Sequence, residues 1–400
     1  MAQTGEVKKG LGSVFEVGTK NWIQMAAQCH DHTMTLAGLP ASKYFFDPKL
    51  NCEAGVQVSS YYGLDSVSIG FDAYDIEIEA LGGKMIYGEN SMPTIDFRDP
   101  LIKKPEDLDK LKKKEVDWYN DGRFPFILDS LDLNLEYGFG TSVFCSPFSL
   151  AVGMRSFPKL IRDMRKNPKF AHELYEFIVD DVLLPWVKVQ NESSGNIMAI
   201  GADAWACIPN LSVKEMMDWV VPYNLRLMNR AKKKGVLIMN VSGDYCEERM
   251  ERYSKEVLHG SFDVEIASSG APSLFLAMGR WFEYPLEDVR DYTAKYRNDN
   301  KNVTLTAGIN ARLLRDGPVE KIVDNVKRFI DAFSRDHDLS LFLSNIPADA
   351  PSDHIHAAVA AAHTYGQLPI ADNLDDIKFE LPKRESFKEW QKKNNLTLNW

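Results

Sequence analysis

Short apolar or β-branched runs alternate with longer amphipathic stretches along almost the whole chain, and this alternation restricts the fold more than any other feature of the sequence. Such a pattern is that of parallel strands joined by crossover helices. Eight runs can be placed, at residues 23–28, 65–71, 140–145, 197–202, 236–241, 262–267, 303–307 and 339–343. Helical stretches fill most of the gaps, as at 213–234 behind a capping Ser212, at 318–334 and at 352–364. Eight strand–helix units predict an α/β fold closed as a single-domain (β/α)8 TIM barrel over residues 21–370, with an N-terminal extension at 1–20 and a C-terminal tail at 371–400. No Gly/Ser linker or short repeat interrupts it, and the run KKPEDLDKLKKKE from Lys103 reads as a solvated helix face.

Charge and cysteine usage narrow the partners. The chain has 47 basic and 57 acidic residues, a net charge of −10. That balance repels polyphosphate, so neither nucleic acid nor an anionic membrane is expected, and a small molecule or a protein is. Five scattered cysteines without a CxxC pair suit a reducing compartment better than a disulfide framework or a zinc ribbon. The first residues carry no apolar signal core, and no apolar stretch approaches the ~18 residues of a membrane span. A cytoplasmic protein is expected, with its oligomeric state open and a homodimer among the alternatives.

In a barrel of this kind the chemistry sits on the loops that follow the strands. That rule selects Cys29 to His32 after the first run, Asp72 and Asp75 after the second, Ser146 to Phe148 after the third and Asp203 to Cys207 after the fourth. It adds Ser242 to Cys246 after the fifth, Asn310 and Arg312 after the seventh, and Asn345 after the eighth.

Four stretches resemble the uroporphyrinogen decarboxylase superfamily, in the right order and within a resemblance covering roughly residues 20 to 370. They are CSPFSLAVGMRSFPKLIRDMRKNP, GADAWACIPNLSVKEM, VLIMNVSGDY and GINARLLRDGPVEKIVDNVKRFI. The decarboxylase holds a poly-anionic porphyrin with arginines of an N-terminal Arg-Gln-Ala-Gly-Arg motif, whereas the first arginine here is Arg98. The superfamily's corrinoid-dependent methyltransferases bind zinc through a His-x-Cys-Gly motif, and this chain has Asn240-Val241-Ser242-Gly243 at that place. A late cysteine of those enzymes is absent from LFLSNIPADAP. The remaining resemblance is to the first methyltransferase of aromatic O-demethylases. It implies transfer of a methyl group from a methoxylated aromatic to the Co(I) of a separate corrinoid protein, with zinc as Lewis acid. No cobalamin-binding Asp-x-His-x-x-Gly signature occurs, so the corrinoid is expected on a partner.

A catalytic zinc needs about three protein ligands and an open position. Cys207 and Cys246 form the candidate pair, although a free cysteine often only fills space. For a third ligand, strand alternation would put Gln28, His30 and His32 on one face, and His30 is chosen. Asp31, His32 and Asp72 are the candidate catalytic groups, for proton transfer to the departing phenoxide, against a hydrogen-bonded polar rim or a helix cap. Tyr74, Asn240 and Asn310 are candidate substrate contacts. Asp180 falls inside a helix expected at 168–188 and is set aside, as are His354 and His356, which at i and i+2 do not share a helical face. The aromatic pieces KYFF, SSYYG and GRWFEYP are candidates for an apolar slot. Two other readings stay open: a metal-independent lyase of the decarboxylase branch, and a catalytically silent binding barrel.

Overall fold

The computed structural model describes residues 21–67, 75–136, 142–195, 198–242, 245–247, 249–269, 273–276, 285–298, 303–336 and 338–400. Within them lie nine strands: β1 (Met25–Ala27), β2 (Met85–Ile86), β3 (Thr94–Ile95), β4 (Ser142–Cys145), β5 (Met198–Asp203), β6 (Leu237–Ser242), β7 (Ser273–Leu276), β8 (Thr304–Ile309) and β9 (Asp338–Leu343). The helices that matter below are α1 (His30–Ala37), α2 (Pro48–Tyr62), α3 (Pro147–Arg155), α4 (Val213–Trp219), α5 (Val221–Lys232), α6 (Lys255–Ser269), α7 (Val319–Phe333), α8 (Ser352–Tyr365) and α9 (Phe387–Lys393). None of the described helices is long and apolar enough to cross a membrane.

The chain divides into two compact units. The first, from Met1–Gly70, Asp244–His259 and Pro272–Trp400, holds a parallel sheet in the order β1-β9-β8-β7. Its register pairs Met25 with Leu341, Leu341 with Ala307, and Ala307 with Leu276. The first described strand thus lies parallel to the last one. The second unit, from Phe71–Gly243 and Gly260–Ala271, holds the parallel sheet β4-β5-β6 and the small antiparallel pair β2-β3.

Strands β5, β6 and β9 share one burial pattern, in which every second residue is fully covered and those between are half-exposed. Side chains alternate across a strand, so each sheet has one covered face and one partly open one. On β5 and β6 the covered positions are Ala199, Gly201, Asp203, Ile238, Asn240 and Ser242. The half-exposed ones are Ile200, Ala202, Met239 and Val241, joined on β4 by Val143.

Two expectations need correction. Residues 262–267 lie inside α6, and the strand follows as β7. The alternation in FDVEIA imitates a strand, but the buried positions of α6, Leu258, Phe262, Val264, Glu265, Ser268 and Ser269, include the helical series 258, 262, 265 and 269. The helix expected over 213–234 is broken into α4 and α5 at Val220, because Pro222 lacks the N–H a continuous helix requires. α7 and α8 match their expected ranges within a residue or two. Of the run at 65–71, residues 65–67 are not strand, and 68–71 lie outside the described residues.

β1 is only three residues long and is anchored at its start by a buried carboxylate. Asp65 accepts from Met25 N at 2.7 Å and Trp22 Nε1 at 3.0 Å, and His363 Nε2 stands 2.9 Å from the same carboxylate. The Asp65 side chain is 2% exposed. Removing one partner of such a buried network strands the others. Asp65→Ala is expected to lower the stability of the folded chain by ~3–5 kcal/mol in urea unfolding, with a smaller loss for Asp65→Asn, which keeps an acceptor.

Candidate active site

In the first unit the chain leaves β1 through Gln28, whose N–H donates to Leu343 O and whose carbonyl accepts from Ile346 N, and then turns at once into α1. The segments leaving β1 and β9 are therefore tied together by backbone bonds. His30, Asp31 and His32 form the first turn of α1 instead of prolonging the strand. Successive helical residues turn by about 100°, so His30 and His32 diverge and do not share the face that strand alternation assigned to them.

His32 points into the unit and is 2% exposed. Nδ1 lies 3.1 Å from Pro347 O, and Nε2 lies 2.6 Å from the Tyr62 hydroxyl at the end of α2. A carbonyl only accepts, so Nδ1 carries the proton and Nε2 accepts from Tyr62. Ser352 Oγ, at the start of α8, stands 3.2 Å from the same hydroxyl. Burial pushes the His32 imidazolium down to about 4, against smaller opposing effects of the Pro347 and Ala348 backbone and of Asp349. His32 is thus a neutral pin between the exits of β1 and β9 and the end of α2.

His30 stands differently. It is half-buried, burial holds its pKa down to about 4, and its shielded Nδ1 has no hydrogen-bond partner. This imidazole is neutral near pH 7. Asp31 is half-buried in the same helix turn, where a carboxylate meets the positive end of the helix dipole.

The other expected residues are placed as follows. Cys207 follows β5 in the second unit and is buried, with Asn210 Nδ2 donating to its Sγ at 3.2 Å. Cys246 is half-exposed and belongs to the first unit. Among the described residues no three His, Cys, Asp or Glu side chains converge as a metal site would require. His30 has the orphaned nitrogen a ligand needs, while Cys207 and Cys246 belong to different units.

Asn240 lies on the covered face of β6. Its Oδ1 accepts from Ser146 Oγ at 3.0 Å and its Nδ2 donates to Ser268 O of α6 at 3.4 Å. The neighbouring strand position is Gly201, where a Cβ would come within 2.5 Å of Asn240 Oδ1, so only glycine admits this approach. Asn310 caps the helix Ala311–Asp316, accepting from Arg312 N and Leu313 N. Asp72 and Tyr74 lie outside the described residues. Asp180 sits in a helical turn and pairs with Arg226 and Arg230.

Sequence reasoning selected Asp203 only as part of a loop and Tyr62 only within an aromatic piece, set His356 aside, and gave no role to Pro347. Asp203, at the end of β5, accepts from both Ser149 N at 2.8 Å and Ser149 Oγ at 2.7 Å, tying β5 to the first turn of α3. Burial outweighs those bonds and lifts its carboxyl up to about 6. Its signal was a lone acid closing an apolar strand. For Pro347 and Tyr62, 315 and 30 residues from His32, no local signal existed.

The partly open faces of the two sheets are also informative. In the first unit they present Ala26, Gln28, Ser273, Thr304, Thr306, Asp338, Ser340 and Phe342; in the second, Val143, Met198, Ile200, Ala202, Leu237, Met239 and Val241. Among these described positions the ionisable side chain is Asp338, at the start of β9, and none is cationic.

A protein-family model described as "Uroporphyrinogen decarboxylase (URO-D)" matches residues 21–365. Among solved structures, a methyltransferase from Methanosarcina mazei is similar at a TM-score of 0.64 and 14% identity, over 90% of this chain and 98% of that one. No curated protein sequence matches.

The depressed histidines make stability depend on pH. The folded values of His30 and His32 lie near 4, below the ordinary 6.5, so as the pH falls the unfolded chain binds protons that the folded chain refuses. Their contribution is full above about 6.5 and is lost as the pH drops toward 4. Urea midpoints measured from about pH 7.5 to about pH 4.5 are expected to fall over that window, and His32→Gln should flatten the fall while lowering the midpoint at the upper end.

Proposed function

Because the chain belongs to the uroporphyrinogen decarboxylase family, whose fold is a (β/α)8 barrel, we propose that it transfers a methyl group from a neutral methoxylated aromatic to the cobalt of a separate corrinoid protein. The observation that carries this reading is that none of the described open-face sheet positions carries a cationic side chain. A poly-anionic porphyrin needs paired cations, and burying its carboxylates against apolar walls would be prohibitive. An aryl methyl ether needs an apolar slot and a few directed polar groups, which such faces offer. The solved structure named as a methyltransferase, alike over nearly its full length, supports the same direction.

In the reaction, the methyl carbon–oxygen bond breaks with its electron pair on the phenolic oxygen, and the methyl carbon bonds to the electron pair of Co(I). The phenoxide then takes a proton. The difficulty lies in the charge that develops on the leaving oxygen, which a directed donor stabilises. We give that role to His30, because a neutral imidazole with a shielded, unpartnered nitrogen can present an N–H to the ether oxygen. Asp31 beside it orients the ring or returns the proton, and His32 holds the turn that carries both. Zinc held by His30, Cys207 and Cys246 is the alternative electrophile, and no step here runs through a metal.

With reduced cobalamin as acceptor, His30→Ala is expected to lower kcat by ~10²–10⁴-fold with little change in KM, and His30→Gln, which keeps a donor, to lose less. Unchanged turnover in His30→Ala would remove His30 from the mechanism. About one zinc per chain in the wild type, lost in both Cys207→Ala and Cys246→Ala, would restore the metal-assisted route.

A further inference from the structure

Residues 385–397 close against α2 within the first unit. Tyr61 donates its hydroxyl proton to Glu385 O at 2.8 Å. Its ring meets Phe387 at 5.3 Å and Trp390 at 5.8 Å, both edge-on. One turn earlier on α2, Gln57 accepts from Gln391 Nε2 at 2.8 Å and donates to Thr397 O at 3.2 Å. α9 also packs against α1.

Tyr61 is followed by Tyr62, whose hydroxyl holds His32. Neighbouring residues on a helix project about 100° apart, so one tyrosine enters the C-terminal segment while the other enters α1. A third ring spans them. His356 of α8, 2% exposed, meets Tyr61 at 4.6 Å and Tyr62 at 4.9 Å, and its Nε2 has no hydrogen-bond partner. Its ring is held by packing alone on that side. The contacts run from Phe387 and Trp390 through Tyr61 and His356 to Tyr62, and from there to His32.

We propose that the C-terminal segment is a positioning element for the active site, with Tyr61 as its positioning residue. Clamped by Glu385, Phe387 and Trp390, Tyr61 holds the end of α2 so that the Tyr62 hydroxyl rests on His32 Nε2, fixing the helix turn that carries His30. The functional meaning rests on the reading of His30 given above; the coupling of segment to histidine does not. A segment that merely covered apolar surface would leave the state of His32 unchanged when loosened. A positioning segment would not, because His32 would lose its hydroxyl donor and gain access to water, and both raise its affinity for a proton.

The test is side-chain nitrogen NMR of the full-length protein labelled at histidine, with Phe387→Ala/Trp390→Ala beside the wild type. The wild type should show His32 as a single tautomer protonated at Nδ1. In the double variant the His32 midpoint is expected to rise by about one unit or more toward its ordinary value, with the two tautomers averaging. The signal of His363, held by Asp65 at the far end of β1, should not move. An unchanged His32 tautomer and midpoint would overturn the proposal. Should the His363 signal collapse with that of His32, the double variant has unfolded, and Tyr61→Phe decides, since it keeps the ring and drops only the bond to Glu385. A smaller upward shift of His32 in Tyr61→Phe supports the proposal, and none overturns it. These readouts need no methyl donor, so loss of the methyl-transfer reading would leave them intact.

Discussion

The parallel pairing of β1 with β9 is the contact on which the first unit depends, and three residues of β1 are too few to secure it by their own backbone bonds. Polar side chains complete the anchoring at both ends. At the start, Asp65 gathers Trp22, Met25 and His363 around one buried carboxylate. At the exit, the backbone ties of Gln28 to Leu343 and Ile346 are followed within one helical turn by His32, which joins Pro347 to Tyr62. Stability at the entry of the strand and geometry at its exit are different demands, and the chain answers them with different groups.

Much of the fold was legible because strand and helix periods leave separate marks on the sequence. The runs at 197–202 and 339–343 became β5 and β9 nearly residue for residue, since their apolar character is continuous and their ends are marked by polar residues. The misreading of 262–267 came from a period-2 pattern laid over a helical one. The candidate site was legible in part. The density of polar groups in His30-Asp31-His32 marked a turn of chain with a shielded imidazole, but its faces were inferred from a strand that had already become a helix. What fixes His32 comes from residues far away in the chain, and spacing alone carries no trace of it. Asn240 and Asn310 were selected by their positions at strand ends, yet in the structure their polar atoms are engaged by Ser146 and Ser268 in one case and by a helix N-terminus in the other.

The partly open faces of the sheets link the architecture to the chemistry. Family membership gives the fold, and the lack of cations on the described open faces is what the proposed neutral substrate rests on. In the proposed reading the orphaned nitrogen of His30 is the group that acts on the ether oxygen, and His32 and the C-terminal segment are the elements proposed to hold it.

The most direct measurement follows the methyl group itself. The full-length protein would be incubated with an aromatic carrying a ¹³C-labelled methoxy group and with reduced corrinoid, and the label traced by NMR. The account predicts a cobalt-bound labelled methyl group and one free phenol for each methyl transferred. Release of carbon dioxide from uroporphyrinogen by the same protein, with the label remaining on the ether, would contradict it.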